Sequence, residues 1–249
     1  MEILIALTIS LAAGLSTVLG ALLIFYKPIN KYNFIGSCLA FSATIMLLIS
    51  VTELIPEGFI YIKYKYSFIL AIVILISMLF IGNFISSTLN KKIDKITKTN
   101  NNLYKVGILS MIALIIHNFP EGILTFLGSM IDINFGLSIA TSIMLHNIPE
   151  GIAIAVPIYY ATKSKRKAVK NVFLSGLSEP IGALLAWIFL YRFLNNFIIS
   201  IILLFVAALM ISIAINDIFE EANKYSRKSV LLGIFLACIF FTINSFIFN

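Results

Sequence analysis

The chain contains two histidines, and both stand in the same six-residue setting. His117-Asn118-Phe119-Pro120-Glu121-Gly122 and His146-Asn147-Ile148-Pro149-Glu150-Gly151 repeat the pattern H-N-x-P-E-G, 29 residues apart. On a helix, positions i and i+4 share a face and i+3 flanks it. Each copy therefore presents an imidazole, an amide oxygen and a carboxylate to one side. The chemistry open to such a set is cation binding. Imidazole with oxygen donors suits zinc, iron, manganese and cobalt; calcium and magnesium prefer oxygen alone. Cys38 and Cys238 lie far from the motifs in apolar runs, so copper(I) is disfavoured and no disulfide framework is legible. Glu179, in Ser178-Glu179-Pro180, is a further carboxylate beside a helix-breaking proline, and Glu53 precedes Pro56 and Glu57 in a similar setting. Two imidazoles with three carboxylates could hold one ion, or two ions sharing bridging carboxylates.

The prolines have a mechanical consequence. Pro120 and Pro149 lack the N–H that would bond the carbonyls of Ile116 and Leu145, so each helix is expected to kink and leave a backbone oxygen free. Such oxygens are tolerated at membrane depth where they line a polar cavity. Gly122 and Gly151 permit close backbone approach.

The elements that must hold these side chains are membrane spans. Of 249 residues, 60% are hydrophobic and 12% charged, with a mean hydropathy of +1.03; soluble domains run about 45–50% apolar and about 25% charged. A soluble globular protein and a disordered one are both excluded. A crossing helix needs about 20 apolar residues. The polar breaks delimit eight such runs, at 3–26, 34–60, 67–89, 106–130, 134–161, 171–191, 197–216 and 229–248. The fold class is therefore an all-α membrane protein, one transmembrane domain over 1–249. The first run is too long for a secretory signal and lacks a basic leader, so it reads as a retained span. The Lys/Asn/Thr-rich break from Asn90 to Lys105 reads as a flexible loop. These runs contain no Lys or Arg, yet they contain Glu53, Glu57, Glu121, Glu150, Glu179 and both histidines. Intramembrane carboxylates are costly, so they are either protonated or compensated by a cation ligand.

Charge gives the topology. The net charge is +7, from 18 Lys+Arg against 11 Asp+Glu. With both termini outside, the inner breaks hold Lys27, Lys31, Lys91, Lys92, Lys95, Lys98, Lys105, Lys163, Lys165, Arg166, Lys167, Lys170, Lys224, Arg227 and Lys228, and the outer ones only Lys63, Lys65 and Arg192. That distribution satisfies the positive-inside rule for a multi-pass cell-membrane protein. The basic balance labels topology and does not point to nucleic acid. The break at Ile131–Ile133 is so short that spans four and five are antiparallel neighbours, with His117 and His146 both near mid-depth and Glu179 close to that level. Glu53 falls in the outer third of span two. Glu57, Glu53, the central cluster, Asp217 and Glu220 make an acidic track.

At these residues the chain resembles the ZIP (Zrt/Irt-like) family of divalent metal transporters, its bacterial ZupT-type branch most closely. The paired motif, the stretch Ile45–Pro56 and Ser175-Gly176-Leu177-Ser178-Glu179 carry the resemblance, which extends over essentially the whole chain. It implies a bundle of eight helices with inverted three-helix repeats around spans four and five, and often a homodimer. It implies a transporter and not an enzyme, with zinc as the chief cargo; iron, manganese, cobalt and cadmium are further candidates, and no tightly bound cofactor is expected. By the family's pattern, His117, Asn118, Glu121, His146, Asn147, Glu150 and Glu179 would form a mid-membrane metal site, with Glu53 contributing from span two. The chain departs from the pattern twice: Asn90–Lys105 contains no histidine, and Ile218 follows Asp217 where relatives carry a second acid, leaving Glu220 or Glu221 as a substitute. The expected function is a carrier moving divalent metal inward. The alternatives are a metal channel, a bis-histidine haem electron carrier using His117 and His146, and a proton-conducting or structural membrane protein.

Overall fold

Short polar residues mark where the helices begin. Asn30, Asn101, Asp132, Ser164 and Asn195 each adopt an extended backbone conformation, and each side chain accepts from the backbone N–H three residues on. The Ser67 and Ser226 hydroxyls accept from Leu70 and Ser229 in the same way. Such caps satisfy one of the N–H groups left open at a helix start, and they let one helix follow another after only a few residues.

The computed structural model describes residues 1–97, 101–190 and 195–248, and these residues are helical with no strand among them. Eight helices are long and apolar enough to cross a membrane: α1 (Glu2–Phe25), α2 (Lys31–Lys65), α3 (Phe68–Ile93), α4 (Asn102–Ile131), α5 (Ile133–Thr162), α6 (Lys165–Phe189), α7 (Asn196–Ala222) and α8 (Arg227–Phe246). The number agrees with the hydropathy reading; the ends do not. Hydropathy detects where hydrocarbon solubility stops, whereas a helix needs only its own hydrogen bonds and continues into water. The break expected as a flexible loop from Asn90 to Lys105 is a correction of this kind. The helix that begins at Phe68 runs on to Thr97, and the next starts at Asn102. Lysines are good helix formers, and Ile93, 4% exposed, anchors the extension on the core.

For the same reason many cations assigned to loops occupy helix ends, where long side chains reach out to water. They still gather at one set of helix ends. Lys27, Lys31, Lys91, Lys105, Lys163, Lys165 and Lys224 lie where α1, α3, α5 and α7 end and the next helix starts, while Lys63 and Lys65 lie at the opposite end. Lys98 and Arg192 fall outside the described residues.

The helices pack as two sets. α1, α4, α5 and α6 are one another's main neighbours, and α2 packs on α8 and α7 while α3 packs on α7. The sets meet where α2 lies on α5 and α4 lies on α7, around a core that includes Leu39, Met46, Ala153, Val156, Val206 and Met210. The outer faces of α3 and α8 stay apolar and exposed, with Phe80, Phe84, Leu231 and Phe235 among them, as lipid-facing surfaces require. Three helices carry a wide π turn, at Ser50–Leu54, Ala186–Leu190 and Ala214–Phe219. Such turns concentrate at functional sites; here the first holds Glu53 and the third Asp217.

Candidate metal centre

A single residue, Asp132, separates α4 from α5, and its carboxylate caps α5. The two helices therefore run antiparallel in contact. His117 precedes Asp132 by 15 residues and His146 follows it by 14, so both lie about 20 Å from the turn at the helical rise of ~1.5 Å per residue. Both helices continue unbroken through Pro120 and Pro149. Intrahelical position thus puts the two motif copies at one level.

Their side chains meet there. Glu121 Oε1 lies 3.1 Å from His117 Nε2 and 2.7 Å from His146 Nε2, so one carboxylate oxygen serves both imidazoles. Glu150 Oε1 approaches His117 Nε2 at 3.2 Å. The two rings have centroids 6.3 Å apart. All of this is buried: His117 is 1% exposed, His146 5%, and Glu150 is fully enclosed.

α1 and α6 complete the surround. The Asn147 amide nitrogen donates to Glu179 Oε2 and to the Ala13 carbonyl, each at 3.0 Å. One amide thereby joins α5 to α6 and α1, and its own oxygen is left turned elsewhere. The motif glycines make the closeness feasible. A Cβ on Gly122 would stand 1.8 Å from the Glu179 carbonyl oxygen, and one on Gly151 would stand 1.9 Å from the Thr17 carbonyl oxygen. Neither position tolerates a side chain without separating helices. From the seam between the two sets, the Ser42 hydroxyl donates to the Pro149 carbonyl at 2.9 Å.

Many polar atoms here have no hydrogen-bond partner although they are buried. They include Glu121 Oε2, both oxygens of Glu150, Glu179 Oε1, Asn147 Oδ1 and both amide atoms of Asn118. Buried polar groups are ordinarily paired, and each one left alone costs on the order of 1–3 kcal/mol. A dense set of oxygens without donors is the composition of a cation site. His117, Glu121 and His146 each offer a ligand atom within 4.8 Å of the other two. Zinc bonds of about 2.0–2.2 Å set tetrahedral ligand atoms about 3.4 Å apart, close to the separations observed. A haem is not accommodated between the histidines, because the Glu121 oxygen that touches both of them stands where a porphyrin would have to lie.

Glu53 stands apart from these contacts. It is half-buried in the π turn of α2. With Thr52, Glu57, Ser138 and Ser142 it lines a cavity of about 860 Å³ formed by α2, α5 and α8. Ser142 stands one turn before His146 on α5. On the lysine-rich side a smaller cavity of about 170 Å³ is lined by Asn90, Asp217, Glu220, Glu221 and Lys224. Asn90 donates to Asp217 Oδ1 at 2.6 Å, and Glu221 is paired with Lys224 at 2.6 Å. The acids expected as a track thus fall into two cavities and a closed centre. Sequence reasoning missed the Ala13 carbonyl and the Ser42 hydroxyl. The run of small residues Ala12-Ala13-Gly14 was the signal for the first; the second had none.

The sequence pattern of ZIP zinc transporters matches residues 85–244 of this chain. The chain is 37% identical over 243 residues to the zinc transporter ZupT of Oceanobacillus iheyensis, covering 91% of both proteins. It is 33% identical over 239 residues to the zinc transporter ZupT of Streptococcus mutans, covering 91% of this chain and 90% of that one. The zinc transporter ZupT of Chlorobium luteolum is 38% identical over 243 residues, with 91% of both covered.

Proposed function

We propose, from the premise that this chain belongs to the ZIP zinc transporter family, that it carries divalent metal ions, chiefly zinc, inward across the cell membrane. The family is one of transporters and not enzymes, and the eight apolar helices make the chain a multi-pass membrane protein. In this reading zinc is bound by His117, Glu121, His146, Glu150 and Glu179, with Asn118 and Asn147 supplying amide oxygens. Glu53 receives the ion from the larger cavity.

The observation that carries the reading is the Glu121 oxygen shared by two imidazoles from two copies of one motif. That oxygen is hydrogen-bonded to His146 Nε2 at 2.7 Å and lies 3.1 Å from His117 Nε2. With zinc as cargo, the Nε2 lone pairs of His117 and His146 and the Glu121 carboxylate would be its ligands, any proton on Nε2 leaving as the ion binds. The carboxylates balance the ion's charge, which an apolar surround makes necessary. Two ions balanced by Glu121, Glu150, Glu179 and Glu53 are within the same ligand set, and iron, manganese, cobalt and cadmium share its chemistry.

A carrier is favoured over a channel by the closed centre. The ligands have almost no exposure, while cavities lie on either side. Passage then requires one set of helices to move against the other, in alternating access. Both termini lie outside and the lysine-rich ends inside, by the positive-inside rule.

Purified protein in liposomes with a zinc-sensitive dye inside tests this. The expected result is saturable uptake that is lost in His117→Ala/Glu121→Ala together with bound metal. Uptake linear in zinc concentration would make the protein a channel, and unchanged uptake in the double variant would overturn the site.

A further inference from the structure

A cavity of about 270 Å³ lies at the lysine-rich helix ends, where α1 turns into α2 and α5 turns into α6. Its wall is aromatic, with Phe25 and Tyr160; its rim is basic, with Lys27, Lys31, Lys163 and Lys165. No carboxylate lines it, and none of these four ammonium groups is paired with one among the described residues. Four like charges at one rim repel one another, and an anion between them relieves that repulsion.

One of these lysines has an unusual backbone. Lys163 ends α5 in the left-handed conformation, at φ 56°, and no other non-glycine among the described residues has a positive φ. Glycine is the usual occupant there. The Lys163 ammonium sits 5.2 Å from the Tyr160 ring centroid, and that of Lys165 sits 4.2 Å from the Phe25 ring centroid. Cation–π contacts of this kind keep charge over an apolar wall without neutralising it.

The surroundings identify the anion. Leu22, Phe25 and Tyr26 beside the cavity are more than half exposed, on the flank of a membrane helix, where the neighbour is an acyl chain. Basic pockets between transmembrane helices at the cytoplasmic side take acidic headgroups. We propose that this pocket binds the phosphate of an anionic phospholipid from the leaflet at the lysine-rich ends. The phosphate lies among Lys27, Lys31, Lys163 and Lys165, and the acyl chains lie along α1. Lys31 begins α2, whereas the other three lysines belong to the ends of α1, α5 and α6. The lipid therefore bridges the two sets of helices.

Native mass spectrometry of the full chain in detergent tests the proposal. The probes are phosphatidylglycerol, phosphatidylcholine and inorganic phosphate. The expected result is retention of phosphatidylglycerol at least tenfold above phosphatidylcholine. It should fall tenfold or more in Lys27→Gln/Lys31→Gln/Lys163→Gln/Lys165→Gln and persist when the same four become Arg. Lys91→Gln/Lys92→Gln/Lys95→Gln, which removes similar charge outside the pocket, should stay within twofold of the parent. Lys27→Gln/Lys31→Gln alone should lower retention several-fold, which keeps the test decisive if the fourfold variant does not fold. Equal retention in the pocket variants overturns the proposal. So does equal loss in the Lys91/Lys92/Lys95 variant, which would mean diffuse charge. Binding of inorganic phosphate without selective lipid retention would assign the pocket to a free anion and overturn it as well.

Discussion

Replacing Gly122 by alanine changes no ligand and adds one methyl group, yet it should disable the site. The added carbon would stand 1.8 Å from the Glu179 carbonyl oxygen and 3.0 Å from its Cα. Carbon and oxygen approach to about 3.3 Å at closest, so α6 must retreat from α4 by about 1.5 Å. The bond from Asn147 on α5 to Glu179, now 3.0 Å, would be strained by a shift of that size in α6, and such bonds weaken steeply as they lengthen or bend. Metal sites hold their ligands to within about 0.2 Å, so Glu179 would be lost as a ligand. Overpacking of this kind costs about 1–3 kcal/mol, which leaves the chain folded. The expected outcome is zinc affinity reduced at least tenfold, with uptake into liposomes falling alongside it and a modestly lower Tm. Gly128→Ala is the comparison. Its Cβ would meet Ile139 Cδ1 at 2.6 Å, the end of a flexible side chain, and otherwise nothing closer than 3.6 Å. It should bind and transport zinc as the parent does. Parental zinc affinity in Gly122→Ala would refute the link between that contact and the placement of Glu179.

Glu121→Gln keeps the shape of the shared side chain but removes its charge and one lone-pair oxygen; zinc affinity, measured by equilibrium dialysis, should fall about 100-fold, since losing even an outer partner of a metal ligand costs about 10–100-fold. Ligation requires neutral imidazole, so affinity should hold at neutral pH and decline as pH drops through about 6.5, the ordinary histidine value. An affinity independent of pH from about 5 to 8 would count against His117 and His146 as ligands. Glu57→Gln, at the exposed side of the larger cavity, should raise the half-saturating zinc concentration several-fold and leave the maximal rate within about twofold, the pattern of a group that attracts the ion without holding it; a changed maximal rate with unchanged half-saturation would place Glu57 in the transport step instead.

The sequence made the centre legible because its information is local. His117 and Glu121, or His146 and Glu150, share a helix face by spacing alone, and Asp132 after α4 leaves the chain no choice but an antiparallel return. Contacts that depend on which helix lies behind were invisible. Nothing near Asn147 announces that its amide nitrogen is committed to Ala13, 134 residues away. The extension of α3 past Asn90 was hidden for a different reason: its residues are soluble in water and helical at once, and hydropathy reports only the first property. The π turns under Glu53 and Asp217 insert one residue into the helical count, which no pattern of fixed period can reveal.

The two copies of the motif share their letters but not their duties. Asn147 is fastened to two neighbouring helices, whereas Asn118, equally enclosed, is fastened to nothing. Change at position 147 therefore breaks bonds that hold the bundle together, whereas change at position 118 breaks no hydrogen bond to a neighbouring helix. Under the proposed function, an engineer seeking a different ion can exchange the amide at 118 for a carboxylate without breaking a hydrogen bond to α1 or α6.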